Sequence, residues 1–392
     1  MANSPLDFTN TATSFERKSN KDLKDMAWLF NLMNKQWLVD IGSALTLVAL
    51  KIRLPIRGII KKTIFKQFCG GSTFEECTKT IEELGKYDVA TILDYGAEGK
   101  STEKAFDKTV QESMRSVRFA AKNKTVPVVS CKVTGLARFE LLEKVTAKKE
   151  LSDKEKEEYQ RVIDRLDKIS KEAHDLKVAL FIDAEESWIQ VAIDELTDLM
   201  MLRYNQEHIA IYNTFQLYRH DRLAFLKASF EKAQKGNYIL GAKLVRGAYM
   251  EKERERAEKK GYPSPIQPNK EACDNDYNAA VKFCIDNYEQ IASCLASHNE
   301  YSTRYQAELM EEKNIPKNHP HTNFCQLYGM SDNLTFNLAK EGYNVAKYVP
   351  YGPVQDVIPY LIRRAKENSA VGGEVSRELG MIRSELKRRK NA

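Results

Sequence analysis

The stretch YLIRRAKEN, residues 360–368, places two arginines side by side and a glutamate within one helical turn of both. In a helix Arg363 and Glu367 are four residues apart and Arg364 and Glu367 three apart, so the three side chains reach one side. Guanidinium groups bind a carboxylate in bidentate fashion, and Glu367 can receive an ammonium. The same spacing also suits surface salt bridges, each worth only roughly 0.3 kcal/mol. Spacing alone supports both interpretations equally; a helix beside a cavity would favour a clamp for a small amino acid.

Further polar side chains close short apolar runs elsewhere in the chain. In a barrel, functional residues gather at the carboxyl ends of the strands, whereas interior strand positions prefer Val, Ile and Leu. A polar residue at nearly every strand end therefore indicates a site. A single such residue can instead be structural, since Asp183 could cap the next helix and His298 could be a hydrogen-bonded core histidine. The residues are Lys132, Asp183, Gln216, Lys243, Arg246, Tyr249, His298, Gln326 and Tyr348.

After residue 85, short runs rich in β-branched residues alternate with longer helical patterns. This alternation predicts a parallel sheet, and eight units predict a closed α/β barrel of the (βα)8 TIM type. An open doubly wound sheet is the alternative. The predicted strands cover 88–95, 126–133, 178–184, 210–216, 239–248, 292–298, 321–329 and 344–349. The predicted helices include 103–122, 186–204, 221–235, 272–289, 300–313 and 332–341.

The chain divides into an N-terminal helical arm over 1–84, the barrel over 85–375 and a basic C-terminal tail over 376–392. Within the barrel, the charge-dense segment 138–177 predicts an inserted, solvated helical hairpin. Ser152 and Glu155 form a capping box at the start of its second helix.

The arm contains an unusual basic segment, residues 37–68, with an apolar first half and a second half that alternates aliphatic and basic residues. We expect a helical arm packed on the main domain. The alternative is an amphipathic segment that lies on an anionic membrane.

Composition narrows the function classes. The net charge of +6 is spread along the chain, a weak indication of an anionic partner or membrane surface. Seven cysteines without a CxxC motif argue against a disulfide framework or a structural zinc site. The HxH pair, His319 and His321, lacks an evident third ligand, so we predict no metal. No run of 18 apolar residues occurs to span a bilayer.

Nucleotide and nucleic-acid motifs are missing. No GxGxxG follows a strand. The sequence GAEGKST (96–102) is similar to a P-loop, but Asp94 stands where the first glycine is required. Aromatic and basic residues do not interleave as they do in RNA-binding proteins, so we predict no nucleic-acid partner.

Six motifs occur in an order that resembles the proline dehydrogenase family. They are FIDAEES (181–187), KLVRGAYM (243–250), ASHN (296–299), FCQLYGM (324–330), KYVPYG (347–352) and YLIRRAKEN (360–368). LDYGAEGK also fits the family's first strand. The similarity spans roughly residues 85–370 and is closest to the monofunctional, mitochondrial-type branch. It implies a distorted (βα)8 barrel and an FAD-dependent enzyme that oxidises L-proline to Δ1-pyrroline-5-carboxylate by hydride transfer from C5 to flavin N5.

The resemblance also implies residue roles. Arg363 and Arg364, assisted by Lys132, would bind the proline carboxylate, and Glu367 would lie near the amine. Asp183 would organise Lys132, and Tyr348 would pack on the substrate ring and favour proline over 4-hydroxyproline. Leu244 and Leu327 would contact the ring, and Tyr249 would close the pocket. FAD would be held by Gln216, Lys243, Val245, Arg246, Gly247, Ala248, Lys270, His298, Asn299 and Gln326. Met250 replaces a tryptophan common beside the adenine.

The family passes its electrons to a membrane quinone, which gives the basic segment a use in peripheral membrane contact. The N-terminus lacks the arginine richness of a transit peptide, so we expect a bacterial cytoplasmic enzyme at the inner membrane. A mitochondrial matrix location after removal of a transit peptide is the alternative. Two rival functions are a Schiff-base barrel that uses Lys132 or Lys243 and a basic scaffold that binds anionic lipid.

Overall fold

A computed structural model describes residues 6–52, 56–96, 100–370 and 372–391. The strands are β1 (Ala90–Tyr95), β2 (Val128–Cys131), β3 (Ala179–Ile182), β4 (Ile211–Gln216), β5 (Leu240–Val245), β6 (Ile291–Ala296), β7 (Thr322–Leu327) and β8 (Val345–Tyr351). They form a closed barrel in sequence order. The eight predicted strands and the closed barrel are thus confirmed, and the open doubly wound sheet is wrong.

Seventeen α-helices accompany the strands in the described ranges. Those before β1 are α1 (Thr11–Phe15), α2 (Asn20–Met33), α3 (Gln36–Lys51), α4 (Arg57–Ile60), α5 (Lys66–Phe68) and α6 (Phe74–Gly85). Those between β1 and β5 are α7 (Glu103–Ala121), α8 (Phe139–Thr146), α9 (Asp153–Asp175), α10 (Ser187–Tyr204) and α11 (Arg222–Gly236). The remainder are α12 (Met250–Lys260), α13 (Lys270–Asp286), α14 (Glu300–Glu312), α15 (Asp332–Lys340), α16 (Val354–Ala370) and α17 (Gly372–Asn391).

The chain forms two compact units, one of residues Ile92–Cys325 and one of Met1–Thr91 with Gln326–Ala392. In the first unit neighbouring strands pair in parallel with continuous register, from Ile92 opposite Val128 to Ala296 opposite Cys325. The strands are short and buried on both faces, as expected where helices cover a parallel sheet. We call this the 92–325 unit.

The segment 138–177 forms two helices, α8 and α9, but the prediction of a solvated hairpin is wrong for α9. This helix begins at the predicted capping box, in which Ser152 and Glu155 exchange hydrogen bonds. It buries Val162, Leu166 and Ile169 and contacts α7, α10 and β3. Because α9 joins β2 to β3, it is the crossover helix of that βα unit. In the sequence, the many charged residues of α9 obscure the narrow apolar stripe that the helix buries.

The second unit, which we call the terminal unit, has a shared apolar core. The face of α2 with Leu23, Met26 and Phe30 packs with residues of α16 and α17 and with Phe65 and Phe68. Helix α1 contacts α15, α2 contacts α17, and α3 contacts α16. The described N-terminal helices thus pack with the C-terminal helices of the same unit.

The basic C-terminal segment is not a loose tail, which corrects the prediction for residues 376–392. Residues up to Asn391 continue α17, which buries Leu379 and Ile382. Glu385, fully buried, accepts hydrogen bonds from Arg388 and Arg389, one turn later. The carboxylate thus pairs with two of the basic side chains, while Leu379 and Ile382 hold the helix in the core.

Two further features concern single helices. Helix α12 is absent from the predicted set because only Glu253 and Ala257 on it are buried, which leaves almost no apolar periodicity. Within the described residues, no helix is both long and apolar enough to cross a membrane.

Candidate functional site

A chain of four alternating charges lies at the strand ends of the 92–325 unit. The Lys243 ammonium donates to Asp183 Oδ1 at 2.7 Å, and the Lys132 ammonium lies 3.2 Å from Asp183 Oδ2. Lys132 also lies 3.5 Å from Oδ1 of Asp94. We call Asp94, Lys132, Asp183 and Lys243 the charge chain. All four side chains are about nine-tenths buried or more.

Each member occupies the carboxyl end of a strand. Asp94 lies on β1, Lys132 directly follows β2, Asp183 directly follows β3, and Lys243 lies on β5. Sequence reasoning selected Lys132, Asp183 and Lys243 and missed Asp94. The missed residue carried the same signal as the others, a charge closing the apolar run DVATILDY.

Burial raises the pKa of the Asp94 carboxyl, and the nearby Lys132 ammonium opposes this effect. Ser130 Oγ donates a hydrogen bond to Asp94 Oδ1 at 2.9 Å, across the β1–β2 register. The Lys243 ammonium also lies 5.4 Å from the Phe181 ring centroid, a cation–π distance. The charge chain thus holds two ammonium groups beside two carboxyl groups in a largely buried position, where electrostatic interactions are stronger than in water.

Arg246 follows β5 and is held from three sides. Its guanidinium donates to Asp274, Ser297 and Ser302 at 2.8, 2.8 and 3.0 Å. It also stacks 4.2 Å from the Tyr277 ring centroid. Since the side chain remains about one quarter exposed, it is a pre-oriented cation that a ligand could still reach.

The chain bends at Gly247, two residues after the end of β5. Gly247 has φ of +143°, and an added Cβ would lie 2.4 Å from the Tyr218 ring, so only glycine fits. Val245 ends the strand and Ala248 lies in the turn, both partly buried. Tyr249 is buried beside the start of α12.

A second polar group centres on Gln216 at the end of β4. Its Nε2 donates to the Glu185 carbonyl at 2.7 Å. The Glu185 carboxyl accepts from the Thr134 amide at 3.0 Å, and burial raises its pKa to about 7. Leu244, next to Lys243 on β5, is fully buried, and its carbonyl accepts a hydrogen bond from the Tyr277 hydroxyl.

The remaining predicted cofactor residues of this unit are more exposed. Asn299 caps α14 by accepting from the Ser302 amide at 3.0 Å, and His298 precedes it, partly buried. Lys270 starts α13 with its side chain 71% exposed and pairs with Asp274. Because Asp274 also binds Arg246, the two cations share one carboxylate.

In the terminal unit, a buried ion network supports the loop after β7. Lys347, fully buried, pairs with Asp332 at 2.9 Å and donates to the Leu327 and Met330 carbonyls. Arg17 contacts the other Asp332 oxygen at 2.8 Å. Although burial alone would raise the pKa of Asp332, Lys347 and Arg17 lower it well below its usual range.

This network lies beside three predicted site residues. Gln326 accepts from Thr335 Oγ1 at 2.8 Å, Leu327 follows it at the end of β7, and the Tyr348 carbonyl accepts from the Tyr328 amide. Tyr348 is buried. Neither Lys347 nor Asp332 was selected from the sequence, because a buried lysine cannot be told from an exposed one without its partners.

The arginine pair lies on α16, as predicted. Arg363 and Arg364 are both partly buried, and the Arg364 guanidinium lies 5.6 Å from the Tyr360 ring centroid. Tyr360 and Leu361 pack into the core of the terminal unit, which fixes the rotation of the helix. The Glu367 side chain lies outside the part of the chain whose side chains the structure describes.

The HxH pair has local contacts. His321 Nδ1 lies 2.8 Å from the Tyr288 carbonyl, and the His319 ring meets Tyr288 edge-on. No group of three potential ligands suited to a metal occurs among the described residues. The seven cysteines are buried free thiols.

Comparison with known families identifies the family of this chain. The family model for proline dehydrogenase matches residues 77–377. This chain belongs to the proline dehydrogenase family. The match includes the charge chain and the arginine pair, so the resemblance drawn from the motifs is confirmed.

Relatives of the family differ in their named activities. Proline dehydrogenase 1, mitochondrial, of Dictyostelium discoideum is 35% identical over 379 residues, with 86% of this chain and 66% of that protein covered. Hydroxyproline dehydrogenase of Xenopus laevis is 32% identical over 366 residues, with 84% and 78% covered. The chain thus spans just under two thirds of the Dictyostelium protein.

The fold agrees with that of a solved structure. Proline utilization A from Bdellovibrio bacteriovorus, inactivated by N-propargylglycine, superposes with a TM-score of 0.71 at 22% identity. The superposition covers 91% of this chain and 38% of that chain. At this identity the likeness establishes the barrel fold.

Proposed function

We propose that this enzyme oxidises L-proline to Δ1-pyrroline-5-carboxylate with bound FAD and passes the electrons to a quinone. The observation that carries the proposal is the buried Lys132–Asp183–Lys243 arrangement at the strand ends of a chain in this family. Two fixed ammonium groups suit a carboxylate substrate and a cofactor that becomes negatively charged on reduction.

The substrate carboxylate is assigned to cations of the chain. Arg363 and Arg364 supply forked donors, and Lys132 supplies a point charge; each of these groups suits a carboxylate. Asp183 holds the Lys132 ammonium at 3.2 Å. Glu367 is assigned to the substrate amine, and Tyr348, Leu244 and Leu327 to the ring.

The donor set also fits FAD. Lys243 is buried and fixed by Asp183 at 2.7 Å, and Arg246 is fixed by three oxygens yet reachable. These cations suit the isoalloxazine edge and the pyrophosphate. The proposed binding set is completed by Gln216, Val245, Gly247, Ala248, Lys270, His298, Asn299 and Gln326. When bound, FAD supplies the two-electron acceptor that no amino-acid side chain provides.

The protein's own residues bind and orient the substrate, and they exclude water from it. Fixing both ends of a small substrate turns a bimolecular encounter into an oriented one, which is where much of the rate gain of such a site arises. Tyr348 and Leu244 are buried, so they would keep water from the reacting carbon. Glu367 would accept the proton that the substrate ammonium must lose before its lone pair can form the imine.

Tyr348 favours proline over 4-hydroxyproline in this proposal. A bulky ring leaves little room for an added hydroxyl, and its burial shows that it cannot swing freely into solvent. Because one relative is named hydroxyproline dehydrogenase, the ratio of kcat/KM for the two substrates is the relevant measurement.

A peripheral membrane contact is proposed for residues 37–68. Trp37, Ile41 and Leu45 recur every four residues along α3 and are 61%, 51% and 63% exposed. A row of exposed apolar side chains followed by basic residues is typical of helices that lie in a membrane interface. Contact with the bilayer would bring the enzyme to its quinone.

The Dictyostelium relative is named a mitochondrial protein. For this chain, the mitochondrial matrix and the bacterial cytoplasm beside the inner membrane both suit an enzyme that reduces a membrane quinone. Fractionation of the native cells distinguishes them.

Steady-state turnover tests the proposal. Purified holoenzyme with L-proline and an artificial electron acceptor should form Δ1-pyrroline-5-carboxylate, detected by chemical trapping, and D-proline should be a poor substrate. Absence of product with flavin fully bound would refute the assignment. Borohydride trapping with a carbonyl substrate separates the rival Schiff-base barrel, since only that enzyme would be covalently modified at Lys132 or Lys243.

A further inference from the structure

We propose that Asp94 is a positioning residue that holds the Lys132 ammonium for the substrate carboxylate, an inference that rests on the proposed function. Asp94 and Asp183 contact this ammonium from the ends of two different strands, β1 and β3.

Asp183 divides its two oxygens between two lysines. Its Oδ1 lies 2.7 Å from Lys243, whereas its Oδ2 lies 3.2 Å from Lys132. Lys132 therefore holds the longer contact. A lysine stem has four rotatable carbons and considerable rotamer entropy, so each additional contact to a fixed carboxyl group holds the ammonium more firmly.

Asp94 supplies the second contact from the opposite side. Its Oδ1 lies 3.5 Å from Lys132 Nζ, and the carboxyl group is itself held by the Ser130 hydroxyl at 2.9 Å. Because β1 and β2 pair with Asp94 opposite Ser130, the carboxyl is anchored to the barrel. Lys132 is thus confined between two fixed carboxyl groups.

Charge balance supports the same role. The Asp94 side chain is 2% exposed and those of Lys132 and Asp183 are 10% and 11% exposed. Removing the Asp94 charge would take one carboxyl group from beside a buried ammonium, and a buried charge that loses a partner is costly. Lys132 would then turn toward water, and the substrate carboxylate would lose a partner.

The test is a double-mutant cycle of Asp94→Asn and Lys132→Met, with proline kinetics as the readout. Asp94→Asn should raise the KM for L-proline about tenfold, the usual effect of losing a contact to a charged group, with kcat changed less than about threefold. In the Lys132→Met background the same substitution should have no further effect on KM. Thr91→Val is the matched control, because Thr91 is a fully buried polar residue of the same strand, and its KM should stay unchanged.

A KM for Asp94→Asn equal to that of the parent would overturn the proposal. So would an equal rise in KM with and without Lys132, which would mean that Asp94 acts through another group. If Asp94→Asn does not fold, Ser130→Ala is the second variant. It frees the Asp94 carboxyl without removing it and should raise KM about threefold; an unchanged KM would then overturn the proposal.

Binding of cyclopentanecarboxylate separates this inference from the proposed function. The probe has the ring and carboxylate of proline without the nitrogen, so it requires no oxidation. By calorimetry, Asp94→Asn should weaken its binding about tenfold. If the parent protein never oxidises proline but binds the probe, and Asp94→Asn weakens that binding, the proposed function fails and the Asp94 role stands. Equal probe affinity in parent and variant would reject the Asp94 role alone.

Discussion

Replacing Asp183 by asparagine should destabilise the protein and weaken proline binding together. The carboxylate lies between Lys132 at 3.2 Å and Lys243 at 2.7 Å, with all three side chains about nine-tenths buried. Asparagine keeps the shape and one acceptor oxygen but removes the charge that neutralises two ammonium groups. Breaking a buried charge pair by changing one partner costs about 3–5 kcal/mol, and the retained oxygen places Asp183→Asn near the lower value.

Urea unfolding measures the loss. With an m-value of about 3 kcal/mol per M, the midpoint should fall by about 1 M. Asp286→Asn is the matched control, since Asp286 also bridges two lysines, Lys282 at 2.7 Å and Lys313 at 3.0 Å, but is 35% exposed. Exposed pairs contribute less than about 1 kcal/mol. Equal losses for the two variants would refute the reasoning from burial.

Three further predictions concern the terminal unit. Arg364→Met should raise the KM for L-proline about 30-fold or more and leave FAD content unchanged, because a charge-assisted contact to a carboxylate is worth about 2–4 kcal/mol; unchanged proline kinetics would remove the clamp. Glu378 is buried, and burial raises the pKa of its carboxyl from 4.5 to about 7. Between these pH values the folded protein keeps a proton on Glu378 that the unfolded protein releases. The free energy of unfolding of the parent therefore falls as the pH rises. Glu378→Gln should therefore gain up to about 3 kcal/mol relative to the parent from pH 5 to pH 8 in urea unfolding, and a pH-independent difference would contradict this. Ile41→Glu with Leu45→Glu should reduce co-sedimentation with anionic vesicles, while Leu202→Glu, on an exposed leucine of another helix, should not; equal binding by all forms would exclude α3 as the contact.

The barrel could be predicted because its signal is periodic and local. Each strand is a short apolar run, and the chain alternates eight of them with helices, so pattern alone gave the architecture. The helices that were misjudged, α9 and α17, bury a narrow stripe under many charges. In both, ion pairs neutralise charges on the buried side, as Glu385 does for Arg388, and such pairing depends on three-dimensional contacts.

The site residues could likewise be predicted from the sequence where their signal is local. Lys132, Asp183 and Lys243 were selected because each interrupts or closes an apolar strand, and the structure brings them together. Asp94 and Lys347 were not selected, although both are buried charges on strands. Asp94 closes an apolar run as the selected residues do and was overlooked. The role of Lys347 depends on Asp332, 15 residues away, and no spacing rule in a single sequence connects that pair.

Anaerobic mixing of the purified, flavin-loaded protein with L-proline tests the central claim most directly. The account predicts that the flavin absorbance is bleached in a single turnover, with one Δ1-pyrroline-5-carboxylate formed per flavin. A flavin that stays oxidised with saturating L-proline, or bleaching that yields no imine product, would contradict it.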